Sequence, residues 1–405
     1  MTAELLCSED LSILRTPVAA GLHEIPNRLC IQPMEGCDGL PDGSPGELTI
    51  RRYKRFSESG AGLVWFEATA VVHEGRANPR QLYLHKANTD AFARLTAEIR
   101  ERSRRTTGTV PMIIMQITHS GRYSKPDGNP EPVIARNNPL FEGENPLPPE
   151  RIISDASLKR LEEVFAKTAK LAARAGFDAI DVKSCHGYLI NELHASHTRP
   201  GIYGGSFENR TRFFRNVVTA ARAVVPRDFL ITTRINIYDG WPSPYGFGVS
   251  VDGSLDPDLT EPIELIKWMN PEIMGVTMGN PYQNPQVNRP TELAGVERML
   301  SLTGQMQKAF PRIPVVGSGF TFLRENAGSA AAGMIKRGLC ALAGFGRMAF
   351  AYPAIANDIL EGKFDKNKTC IICGKCSQLM RMSSVTGCVA RDSVYTEIFR
   401  DIVKK

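Results

Sequence analysis

Residues 154–188, SDASLKRLEEVFAKTAKLAARAGFDAIDVKSCHGY, hold one complete helix-to-strand unit, and its plan recurs along the chain. Ser154 offers a capping hydroxyl, and Leu158, Leu161, Phe165, Thr168 and Ala172 fall on one face before Gly176 ends the helix. The segment Ala179–Lys183 follows at once, and the apolar runs of this kind along the chain lack strict alternation, as strands covered on two sides do. Seven similar runs are predicted near Leu29–Gln32, Leu63–Glu67, Met112–Ile117, Leu230–Ile235, Ile273–Met278, Pro314–Gly317 and Leu339–Gly344. Eight strands in strict alternation with helices predict an α/β fold, a (β/α)8 TIM barrel rather than an open doubly wound sheet.

At 405 residues, 42% hydrophobic and 23% charged, the chain has the composition of a globular enzyme with no long linker. A barrel over residues 1–362 and a tail over 363–405 are expected. Proline-rich residues 123–149 and residues 238–258 follow the third and fifth strands and read as walls of a site. The net charge of +6 is dispersed, and the densest basic cluster, Arg100, Arg102, Arg104 and Arg105, suits a helix C-terminus. No basic stripe with interleaved aromatics points to nucleic acid. No apolar run approaches membrane-spanning length, and the N-terminal MTAELLCSED lacks a targeting pattern, so a cytoplasmic protein without membrane association is expected. Nine cysteines in a reducing compartment argue for metal or thiol chemistry. Whether the chain forms a homo-oligomer is open.

Cys370, Cys373, Cys376 and Cys388 give C-x2-C-x2-C-x11-C, a tight three-thiolate loop with a remote fourth ligand. That pattern suits a [4Fe–4S] cluster; structural zinc, the alternative, favours two separated pairs. Glycines at the ends of the last two strands, Gly317, Gly319, Gly344 and Gly346, with Arg347, match a barrel phosphate site. Lys183, His186 and Tyr188 close the fourth strand and place three ionisable groups at the catalytic rim.

At these residues the chain resembles the Old Yellow Enzyme family. It is most similar to the iron–sulfur branch containing 2,4-dienoyl-CoA reductase and trimethylamine dehydrogenase. The motifs are NRLCIQPM, QITHSGRY, AGFDAIDVKSCHGYLINEL, YGGSFENRTRF and GFGRM, in order along nearly the whole chain. The resemblance implies FMN across the barrel mouth, with Pro33, Met34 and the next residue, Glu35, behind the ring. Gln116 would then face its pyrimidine edge, Arg234 would lie near N1, and Gly317, Gly319, Gly346 and Arg347 would hold its phosphate. It further implies ene-reduction of an activated alkene, with hydride from N5, carbonyl binding at His186 and protonation by Tyr188. Tyr282, in NPYQNPQVNRP, is expected to line the substrate site.

Three departures stand out. Lys183 replaces a family histidine or tyrosine, which predicts an acidic or strongly polarised substrate. Glu35 stands where Thr or Cys is common, with Cys37 two residues on as a candidate substrate contact. Gly201 replaces the usual aspartate before YGGS. Relatives with this cluster often carry a second flavin- and NAD(P)H-binding region after the cysteines; here electrons are expected either from NAD(P)H directly at FMN or, the preferred reading, through the cluster from a separate donor protein: a ferredoxin, a flavodoxin or a reductase subunit. Two rival readings are an amine dehydrogenase or demethylase resembling trimethylamine dehydrogenase, and a non-catalytic electron-transfer subunit.

Overall fold

The computed structural model describes residues 7–404, so the first six residues of MTAELLCSED lie outside it. Eight strands form a closed barrel: β1 (Leu29–Ile31), β2 (Leu63–Ala70), β3 (Met112–Thr118), β4 (Ala179–Val182), β5 (Leu230–Asn236), β6 (Met274–Thr277), β7 (Val315–Gly317) and β8 (Leu342–Phe345). Neighbours run parallel in chain order, and the ring closes where Ala343 lies opposite Leu29 and Phe345 opposite Ile31. The helices of the outer ring are α1 (Glu47–Ser57), α2 (Thr89–Thr106), α3 (Asp155–Arg174), α4 (Phe207–Arg222), α5 (Thr260–Met269), α6 (Leu293–Ala309), α7 (Ala327–Lys336) and α8 (Ile355–Leu360).

Helix α3 forms as its sequence requires. Ser154 Oγ accepts from the amide of Ser157 at 3.1 Å, and the predicted apolar stripe is buried. Gly176 takes φ +78°, a conformation that a side chain would strain. The Arg100–Arg105 cluster ends α2, where Arg100 pairs with Asp178 and Arg102 with Glu58. The last strand starts three residues later than the apolar run suggested. Leu339 is still finishing the turn after α7, its amide bonded to the Met334 carbonyl at 2.9 Å behind Gly338 at φ +64°.

Inside the barrel, Cys30, Leu63, Met112, Ala179, Leu230 and Leu342 pack with Val18, Ala20 and Ile25 of a hairpin made by Val18–Ala20 and His23–Ile25. These side chains come from the start of each strand, so the hairpin plugs the N-terminal end and leaves the C-terminal end for chemistry.

The tail carries α9 (Lys375–Arg381) and α10 (Ser393–Val403), with Leu379, Val389 and Tyr395 buried between them. Asp392 caps α10 through the Val394 amide and also receives Arg51 Nη1 at 2.8 Å and Arg55, both from α1. The Thr386 amide donates to the Gly36 carbonyl at 2.7 Å, and Asn78 Nδ2 to the Ser383 carbonyl at 3.1 Å. The tail is thereby fastened over the barrel mouth. Among the described residues no helix is long and apolar enough to cross a membrane.

Candidate active site

A cleft of about 1120 Å³ opens where the strands end. The segment after β1 lines it with Pro33, Met34 and Glu35, β3 with Gln116 and β5 with Arg234. The end of β4 adds Lys183, His186 and Tyr188, and the loop after β6 adds Tyr282. Gly319, Gly344, Gly346 and Arg347 complete it from the last two strand ends. Gly317 and Cys37 do not line it. A Cβ on Gly317 would sit 3.5 Å from Cys340 and Thr303, on the helix side of the strand. Cys37 is buried beside the cleft, its carbonyl accepting from Arg80 Nε at 3.2 Å.

The floor of the cleft is organised by Asp181, a carboxylate fully buried inside the barrel. It accepts from Trp65 Nε1 at 2.9 Å, from Gln116 Nε2 and from the Arg234 amide. Burial raises its pKa to about 6, while the hydrogen bonds from Gln116 and the Arg234 amide pull the other way. Gln116 is thus held with its amide nitrogen committed and its oxygen free to meet a ligand. Gln32 is set similarly: Nε2 donates to Ser318 Oγ at 3.1 Å, and Oε1 is buried without a partner. It lies so close over Gly344 that a Cβ there would meet its Nε2 at 2.0 Å.

On the opposite wall, Lys183 Nζ donates to Glu35 Oε1 at 3.0 Å and lies 3.7 Å from the centre of the Tyr188 ring. Tyr188 donates its hydroxyl proton to the same carboxylate, at 3.2 Å from Oε1 and 3.4 Å from Oε2. The Tyr282 hydroxyl is 3.2 Å from that of Tyr188, and its ring stacks on Tyr123 at 4.0 Å. Burial, then the Glu35 charge, push the Tyr188 phenol well above its ordinary pKa, so it stays protonated. The ammonium of Lys183 is already balanced by Glu35, so it does not stand free for a substrate carboxylate. This departs from the expectation drawn from Lys183 alone.

His186 occupies the left-handed region at φ +68°, rare for a residue with a side chain. Burial, with Arg234, Lys183 and Arg289 nearby, pushes its imidazole well below the ordinary histidine range. Its Nε2 is buried without a partner. A neutral imidazole with an unspent nitrogen can bind a carbonyl oxygen or a flavin edge.

Glu35 is held from behind. Arg52, buried on α1, pairs with both Asp38 and Glu67, and Glu67 Oε2 accepts from the Gly36 amide at 2.7 Å. A Cβ on Gly36 would overlap the Arg52 guanidinium, so only glycine permits this approach.

Arg289 donates to Ser377 Oγ and to the Pro281 carbonyl at 3.0 Å, both neutral acceptors. Burial and Arg347 lower its pKa to about 10. Two guanidiniums facing one cleft suit an anion. The side-chain-free walls at Gly319, Gly344 and Gly346, the unpartnered Gln32 and His186 atoms and these cations together fit FMN, a planar ring carrying a phosphate.

Cys370, Cys373, Cys376 and Cys388 line one smaller pocket, whose walls include Arg347 and Phe350. Cys376 also lines the large cleft. Among the described residues no three His, Cys, Asp or Glu side chains gather round a single-ion position. Sequence reasoning missed Gln32, Asp181 and Arg289. Asp181 carried a signal, since a carboxylate within an apolar strand must be partnered; Arg289 in its loop carried none.

The eight-strand barrel and a cleft whose lining fits FMN mark the chain as a flavin-binding barrel. The chain belongs to the NADH:flavin oxidoreductase / NADH oxidase family, whose sequence profile matches residues 14–249. An NADPH dehydrogenase of Clostridium acetobutylicum is 31% identical over 217 residues, covering 53% of this chain and 60% of that protein. A 2-naphthoyl-CoA reductase structure in complex with 2-naphthoyl-CoA superposes with TM-score 0.79 at 19% identity, covering 96% of this chain and 58% of that one. Histamine dehydrogenase from Rhizobium sp. 4-9 gives TM-score 0.73 at 23% identity, over 94% of this chain and 52% of that one. The chain therefore spans little more than half the length of these proteins.

Proposed function

We propose that this protein is an ene-reductase, reducing the C=C bond of an alkene conjugated to a carbonyl or carboxyl group. Bound FMN supplies the hydride. The chain's own residues do the rest. His186 Nε2 and the cleft wall hold the carbonyl oxygen, and Tyr188 donates its proton to the carbon alpha to that carbonyl. The observation that carries this reading is the Tyr188 phenol, kept protonated in the wall of the cleft that His186, with its unspent nitrogen, also lines. A Tyr188→Phe variant is expected to slow alkene-driven reoxidation of the reduced protein by about 10²-fold or more. Unchanged reoxidation in that variant would remove Tyr188 from the mechanism.

The tail, taken as residues 363–405, is proposed to hold a [4Fe–4S] cluster, which supplies one-electron transfer when bound. Supporting this is the single cavity shared by all four cysteines. A tetrahedral zinc would draw its sulfurs to roughly 3.8 Å of each other, whereas the corners of a cuboidal cluster hold them farther apart. Cys376 lines both cavities and Cys373 is exposed, a path suited to a separate electron-donor protein such as a ferredoxin or flavodoxin. Nine cysteines, with no disulfide among the described residues, accord with a cytoplasmic setting.

One observation favours a second reading, amine oxidation. Tyr188 and Tyr282 both line the cleft, their ring centres 6.5 Å apart, and aromatic faces attract an organic cation.

A further inference from the structure

We propose that Glu35 and Lys183 form a proton relay that recharges Tyr188 after each turnover, with Glu35 as its port to solvent. The proposal rests on Tyr188 acting as proton donor to carbon.

One carboxylate joins the three groups. Glu35 Oε1 lies 3.0 Å from Lys183 Nζ and 3.2 Å from the Tyr188 hydroxyl. Lys183 is 2% exposed and Tyr188 2%, but the Glu35 side chain is 14% exposed. Of these three groups Glu35 has the side chain most open to water.

When Tyr188 gives its O–H proton to carbon, a phenolate is left beside a carboxylate in a dry wall. Two like charges at that distance repel strongly, and a second turnover needs the phenol restored. The ammonium beside them can supply the missing proton. It passes from Lys183 Nζ to Glu35 Oε1 and on to the Tyr188 oxygen, leaving a neutral amine and a carboxylate. Water then returns one proton to Lys183 through Glu35. No electrons move in the relay; reduced flavin supplies the hydride, and each product consumes one proton from solvent.

Other groups face this triad. The Tyr282 hydroxyl lies 3.2 Å from that of Tyr188, and Cys37 lies close behind. Glu67 contacts the Gly36 amide, paired with Arg52. Burial and the Glu35 charge hold the Tyr282 and Cys37 protons firmly, which leaves the lysine as the donor.

The alternative is a static ion pair that merely orients Tyr188. The two are separated by following flavin absorbance and proton uptake together. Photoreduced protein is mixed anaerobically with 2-cyclohexenone in weak buffer containing phenol red. In the wild-type protein proton uptake keeps pace with flavin reoxidation. In Glu35→Gln the ratio of the two rates is expected to fall by about 10²-fold, whatever the flavin rate itself. Glu35→Asp, which keeps a carboxylate, should bring the signals back together. Synchronous signals in Glu35→Gln would overturn the relay. Should wild-type flavin be reoxidised by no alkene and instead bleached by an amine, the ene-reductase reading fails. The relay, which rests on Tyr188 protonating carbon, then fails with it, whereas synchronous signals in Glu35→Gln with alkene turnover intact overturn the relay alone.

Discussion

Tyr188 reaches the cleft because the chain turns sharply after β4, with His186 at φ +68° and Gly187 at φ +72°. Gly187 is packed against Asn280, whose Nδ2 a Cβ would meet at 2.1 Å. A Gly187→Val change is therefore expected to displace His186 and Tyr188 together. It should lower alkene-driven reoxidation more than FMN affinity, as read by stopped-flow absorbance against flavin fluorescence titration. Equal losses would mean that the turn serves the cofactor instead. Lys183, His186 and Tyr188 were legible in the sequence because ionisable groups at a barrel strand end are few and clustered. Their partner was not. Glu35 sits 148 residues from Lys183, and nothing local to either one announces the ion pair.

Helix α1 and the segment after β1 are joined by Arg52, Asp38 and Glu67, all buried. Removing one partner of such a group strands the others' charge in the interior. An Arg52→Ala variant is expected to lose about 3–5 kcal/mol in chemical denaturation and to loosen the Glu35 segment. A loss below about 1 kcal/mol, the scale of an exposed pair, would show the group to be solvated. The tail is an element of the same kind. Its four-cysteine spacing was legible, and, if the proposed cluster is held there, a Cys373→Ser variant is expected to lose the cluster's broad visible absorbance while retaining FMN. The docking contacts of Asp392 with Arg51 and Arg55 were not legible, since an aspartate capping a helix N-terminus usually faces water. The late start of β8 was missed for a local reason: Leu339 and Cys340 are apolar because they pack, not because they pair.

Across the whole molecule, the eight-strand barrel followed from apolar runs repeating at helix-and-strand intervals, a pattern that survives errors at individual ends. Several buried histidines set its response to acid. Burial lowers His119 to about 4 and His194 to about 3. An unfolded imidazole takes up its proton near pH 6.5, so below that the unfolded chain binds more protons and stability falls with pH. Asp181, raised to about 6, works the other way, because the folded state holds its proton first. The gap in melting temperature between wild type and His194→Gln should therefore narrow as pH falls from about 7 to about 4. A constant gap would mean that His194 titrates alike in both states.

Ene-reduction is tested most directly by mixing the reduced protein, without oxygen, against a panel of enones, enoates and enoyl thioesters, with the oxidised protein mixed against amines in parallel. Rapid flavin reoxidation by at least one alkene, with formation of the saturated product and no bleaching by amines, is the predicted result. Bleaching of the oxidised flavin by an amine, with the reduced flavin indifferent to every alkene, would contradict it.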